Sequence, residues 1–197
     1  MRLPFKMHRP TAVIAAVLII LNQALNTAAA ISVSSTFTTF ISKFSLASNT
    51  LIAIMLAVIL FRGKKDTVAG TVFAITAVVP LFVVGYDFLS LLKGYDGIGY
   101  VLANILLGLA VAAFRGLAAV ECLGKRKISA GGGQALLWVL PILCFCFALW
   151  KQILLCIYDG MNPDETIANC LIVASGQWLG PVLMGVSLSV PNEKNDK

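Results

Sequence analysis

The sequence holds a single histidine, His8, and it precedes the first long apolar run. A His-ligated zinc site, or a peptidase pairing cysteine with histidine inside a membrane, needs imidazoles where this chain has none. No two acidic residues share the middle of an apolar run, which removes the paired carboxylates of an intramembrane aspartyl protease or a proton relay. The triplet Gly131-Gly132-Gly133 lacks the lysine and hydroxyl residue that complete a phosphate-binding loop, and reads as a flexible lead into the helix that follows.

Cysteine is present but not in a ligating pattern. Cys122, Cys144, Cys146, Cys156 and Cys170 show no metal-ligand spacing. Cys144 and Cys146 project roughly 200° apart on a helix and cannot share a face. Cys156 and Cys170 both fall near the outer ends of their runs, where a disulfide is a second reading beside two small apolar side chains. No cofactor is implied. Serines and threonines are abundant and none is marked as a nucleophile, so a non-enzymatic protein is the expectation and an intramembrane enzyme the lesser alternative.

Charge is scarce as well, at 12% of the residues, while 59% are hydrophobic and the mean hydropathy is +0.91. Soluble domains carry roughly 45–50% apolar residues. Apolar stretches long enough to cross a bilayer recur between short charged clusters, since a crossing needs about 20 residues. The fold expected is therefore all-α: one polytopic membrane domain over residues 1–197, in contact with the lipid bilayer. Six spans are expected near Ala12–Ile31, Phe44–Phe61, Thr67–Tyr86, Ile98–Val120, Ala135–Ile157 and Ile167–Val190, the third able to run on to Leu92. Between the first two, Phe37, Phe40, Ile41 and Phe44 lie at helical spacing in a Ser/Thr-rich stretch. It reads either as an interfacial helix or as a solvated loop.

A net charge of +6 would suggest nucleic acid in a soluble protein, but here the basic residues gather at span ends. With the N-terminus in the cytoplasm, twelve Lys/Arg fall inside and only Lys43, Lys93 and Lys151 outside. That asymmetry is what orients membrane proteins. Both termini are thus expected in the cytoplasm, with the protein in the cell membrane and no nucleic-acid partner. A competing reading treats residues 1–30 as a cleavable signal peptide ending at Ala28-Ala29-Ala30, which would leave five spans.

The chain also echoes itself. Gly63-Lys64-Lys65 with Pro80, Tyr95-Asp96-Gly97 and Ala103-Asn104 recurs as Gly124-Lys125-Arg126 with Pro141, Tyr158-Asp159-Gly160 and Ala168-Asn169. Two parallel hairpin repeats follow, or three if Ser48-Asn49-Thr50 belongs, related by an axis along the membrane normal and placing Asn49, Asn104 and Asn169 at one depth.

Polar residues inside apolar runs are the candidate site. Asn22 and Asn26, with Gln23 and Thr27, form a stripe that should avoid lipid. Asn22, Asn26, Asn49, Asn104, Asn169 and Gln177 are expected either to line a cavity or to bond between helices. Gly176, Gly180 and Pro181 mark a proline kink or a broken helix in the sixth span. Asp87 and Lys151 are expected near the outer interface, solvated and unpaired by default or else paired to seal the outer ends of the third and fifth spans; Arg115 is expected to snorkel to the cytoplasmic surface, and Glu121 to pair with Lys125.

Size, span number and orientation resemble the substrate-binding subunits of energy-coupling-factor vitamin transporters, and Ala12 and Ala16 match the spacing of their Ala-x-x-x-Ala docking surface. That resemblance implies docking on a separate transmembrane protein, although a hairpin repeat is not expected of the family. The leading expectation is small-solute transport or binding. A structural or regulatory subunit of a larger membrane complex is the alternative.

Overall fold

The computed structural model describes residues 5–32, 40–92, 97–124, 133–173 and 178–189. Two short strands, β1 (Phe5–Lys6) and β2 (Lys64–Lys65), accompany helices α1 (Arg9–Ser32), α2 (Phe40–Arg62), α3 (Thr67–Leu92), α4 (Ile98–Leu123), α5 (Gly133–Tyr158), α6 (Pro163–Val173) and α7 (Leu179–Ser189). The chain is an all-helical bundle. Among the described residues, four segments are long and apolar enough to cross a membrane: Arg9–Ala28, Thr67–Leu89, Ile98–Leu123 and Ala135–Tyr158. Leu46–Arg62 of α2 and Leu179–Ser189 are apolar but shorter.

Local chemistry explains the helix ends. Asp66 caps α3, its Oδ1 accepting the Ala69 N–H at 2.9 Å while Oδ2 pairs with Arg62 at 2.7 Å. At α6, Pro163 takes the first helical position and Glu165 reaches back to the Asn162 N–H at 3.2 Å, the reciprocal half of a capping box. After α5, Gly160 adopts φ +66° so that its own N–H and that of Met161 return to the carbonyls of Ile157 and Cys156. α3 continues to Leu92, and α2 begins at Phe40, four residues before the span expected there.

Packing relies on small residues at close approaches, as it must where lipid offers no hydrophobic drive between helices. α3 lies along α4, α4 along α5, and α7 between α1 and α5. A Cβ placed on Gly185 of α7 would meet the Leu137 carbonyl oxygen at 2.5 Å. That carbonyl is the one Pro141, four residues on, cannot bond, because proline lacks an N–H. Gly185→Ala is accordingly expected to cost about 1–3 kcal/mol, as overpacking does. Thermal unfolding in detergent checks it, with Gly116→Ala, which meets nothing within 4 Å, as the neutral control.

The packed core gathers at one end of the bundle, around Ala12, Ala15, Ala16, Leu60, Phe73, Ala118 and Leu188. β1 pairs antiparallel with β2 at this end, Phe5 opposite Lys65 and Lys6 opposite Lys64. The His8 N–H donates to the Ser187 carbonyl at 3.0 Å, and Lys65 Nζ donates to the Leu188 carbonyl. Both carbonyls belong to the last turn of α7, where no helical donor reaches them. Lys65 also pairs with Glu121 at 3.2 Å, the two side chains only 10% and 5% exposed. Glu121 is thus joined to a base brought from another helix junction, while Lys125, its expected i,i+4 partner, lies outside the described residues.

The outward surfaces are apolar. Phe82 is 75% exposed and Tyr86 66%, on the outer side of α3. Contiguous exposed apolar faces of this kind suit lipid contact. Ala12 and Ala16, by contrast, are fully buried against the chain's own helices, so they present no outer surface for docking and the resemblance built on them loses that support. Cys156 is buried and Cys170 half-buried, each with a free thiol.

Candidate functional site

Beyond the packed core, toward the end opposite the two strands, the helices separate around a cavity of about 480 Å³. Small-molecule sites usually fall between roughly 300 and 1,000 Å³. Its polar wall comes from Asn22, Gln23 and Asn26 on α1, Asn49 on α2 and Asn104 on α4; Trp178, Gly180 and Pro181 close a side at the start of α7. Apolar residues, among them Ile52, Leu56, Val79, Val83, Leu107 and Val111, make up most of the rest. The stripe on α1 arises because Asn22 and Asn26 are four apart and share a helix face.

The amides divide into two groups. Gln23 is a packing residue: its Nε2 donates to Thr50 Oγ1 at 2.9 Å, tying α1 to α2. Asn104 bridges a charged pair, its Nδ2 donating to Asp87 Oδ2 on α3 while its Oδ1 accepts from Lys151 Nζ on α5 at 2.8 Å. An amide is suited to this, having one end that donates and one that accepts. Lys151 Nζ also lies 5.2 Å from the centre of the Tyr100 ring. Asp87 and Lys151 are therefore not separate solvated residues, and their connection runs through Asn104 rather than through a direct pair, the other reading of the sequence. Asn22, Asn26 and Asn49 differ from these, lining the cavity with no hydrogen-bond partner among the described residues. Half-buried or exposed, they present unsaturated amides to the cavity.

Of the other residues singled out in the sequence, Gly176 and Gln177 lie outside the described residues. Asn169 lies on α6, and its side chain is likewise outside them. Gly180 and Pro181 sit in the first turn of α7, where a proline costs no helical bond. Gly180 also lets α1 approach, since a Cβ there would meet Ile19 Cγ1 at 2.9 Å.

Arg115 departs furthest from what its sequence position suggests. It does not snorkel: its Nη1 donates to the Thr76 carbonyl at 2.8 Å, and the side chain lines the cavity. Pro80 explains the anchor. In a regular helix the N–H of residue 80 would bond the carbonyl of residue 76, and proline has none to offer. The sequence signal exists, because an arginine within the apolar run Ile105–Val120 is costly wherever it cannot reach water.

Among the described residues no three His, Cys, Asp or Glu side chains are grouped to hold a metal ion. No family model, no curated protein and no solved structure matches the chain.

Proposed function

We propose that this chain is a six-span protein of the cell membrane, both termini cytoplasmic, that binds a small solute in its central cavity and moves it across the bilayer. The cavity of about 480 Å³ carries the reading, because one wall holds the three unsaturated amides Asn22, Asn26 and Asn49. Helices that merely pack would saturate such amides, as Thr50 saturates Gln23. The apolar remainder of the lining suits an amphipathic solute. α2, together with α6 and α7 as one re-entering or kinked segment, supplies the fifth and sixth crossings. The hairpins α3–α4 and α5–α7 would then be parallel repeats, each with a proline near mid-membrane.

Orientation follows from the basic residues. Reporter fusions after Lys65, Lys127 and Lys197 are expected to report cytoplasm, and insertions near Ser35, Gly94 and Asn162 the outside. Two or more reversed signals would defeat the six-span topology.

Binding is tested on the purified protein by thermal unfolding against a panel of small amphipathic solutes. A ligand at a hundredfold excess over its Kd stabilises by about 2.7 kcal/mol, a shift of several degrees. If no solute shifts unfolding and the chain purifies only with a second membrane protein, the structural-subunit reading replaces this one.

A further inference from the structure

Arg115 is the only formally charged side chain among the described residues lining the cavity. A guanidinium has five N–H donors, and the contact with the Thr76 carbonyl uses one. Neither ion pair among the described residues involves it. A permanent cation held in a bundle interior without a counter-charge is costly, and a planar fork of free donors matches a carboxylate or phosphate two bonds at a time.

Its position adds the second constraint. Arg115 lies eleven residues beyond Asn104 on α4, about 16 Å along the helix axis, beside Phe114 at the edge of the packed core. The unsaturated amides of Asn26 and Asn49 come from the other half of the cavity, the last turns of α1 and the first half of α2. Along α4, the lining residues that follow Asn104 and lead to Arg115, namely Leu107, Gly108, Val111 and Phe114, are apolar. Pro80 holds the arrangement, because the carbonyl it frees fixes the guanidinium at one oxygen and leaves its other donors to the cavity.

We propose that the cavity takes an amphipathic anion, with a carboxylate or phosphate head on Arg115, an apolar body along Val111 and Leu107, and a polar far end at Asn26 and Asn49. The assignment rests on the solute-binding reading above and narrows it to one charge class. A water-borne solute and an anionic lipid both carry heads of this chemistry, and the test separates them.

Charge-selective thiol labelling inside the cavity provides that test. Val111 lies one turn from Arg115 and lines the cavity. Val111→Cys, in the full chain in phosphatidylcholine nanodiscs, is reacted separately with an anionic and a cationic methanethiosulfonate. Labelling at position 111 is read by peptide mass, and the parent chain supplies the background from native cysteines. The ratio of anionic to cationic rates is expected to fall on the order of tenfold in Arg115→Gln, the low end of what a charged cleft provides, and to persist in Arg115→Lys. 4-Phenylbutyrate should slow the labelling where 4-phenylbutanol does not. Protection by phosphatidylglycerol in place of phenylbutyrate supports the anion site and assigns its head group to lipid.

A ratio unchanged by Arg115→Gln, or equal protection by acid and alcohol, overturns the anion assignment and leaves a solute cavity standing. Failure of both reagents to reach Val111→Cys in folded protein overturns the cavity reading itself, and the anion assignment with it. If Arg115→Gln does not fold, Asn26→Cys with Arg115 intact takes its place. The anionic preference must then be larger at position 111 than at position 26, and an equal preference rejects the proposal.

Discussion

Lys65→Met is expected to destabilise the folded protein by about 3–5 kcal/mol, the cost of leaving one member of a buried ion pair without the other. Lys65 holds two things at once: Glu121 at the end of α4 and the terminal carbonyl of Leu188 on α7. Its removal strands a carboxylate that is 5% exposed and whose Oε2 is already buried with no partner among the described residues. Apolar replacement of both partners behaves differently, because the desolvation cost disappears together with the attraction. Lys65→Met with Glu121→Leu should therefore recover most of the loss. Denaturation of the purified single and double variants measures this, and a double variant as unstable as Lys65→Met would show that the Leu188 contact, rather than the ion pair, dominates.

The second large effect is expected at Asn104. Asn104→Leu removes the donor to Asp87 and the acceptor for Lys151 in one step, and each orphaned group costs about 1–3 kcal/mol where water cannot replace the bond. Three helices lose a common tie, since the residues come from α3, α4 and α5. The diagnostic is non-additivity: once Asn104 is leucine, Asp87→Asn should cost at least about 0.5 kcal/mol less than it does in the native chain. Strictly additive losses would mean that Asp87 and Asn104 act independently.

These two interactions also mark where the sequence stops being legible. The helices can be read because apolar run length sets them, and α3 can be followed to Leu92 by Phe88, Leu89 and Leu91 alone. The amides stand out too as residues out of place in lipid, and four of the six singled out line one cavity. What hydropathy and helical spacing cannot supply is the partner across the bundle. Nothing local to Glu121 announces Lys65, which the β1–β2 ribbon and the α2–α3 turn bring to it. Asp87 and Lys151 carry no local hint that an asparagine stands between them. Arg115 escapes the sequence for a related reason: its distance from the helix end suggests snorkelling, whereas its acceptor is created 39 residues earlier in the chain by the missing N–H of Pro80. Ala12 and Ala16 show the opposite error, a spacing that suits an outer docking face but here packs the core.

Solute binding as proposed requires the amide-lined cavity to be reachable from the side away from the basic end of the bundle. Cysteine placed at Asn22 and at Asn49, one on each of two cavity-forming helices, tests it in intact cells with a membrane-impermeant thiol reagent applied from outside. Ala16→Cys, at a fully buried core position, serves as the negative control. The account predicts labelling at positions 22 and 49 and none at 16. Protection of both in folded protein, or labelling only after the cytoplasmic side is exposed, would contradict it.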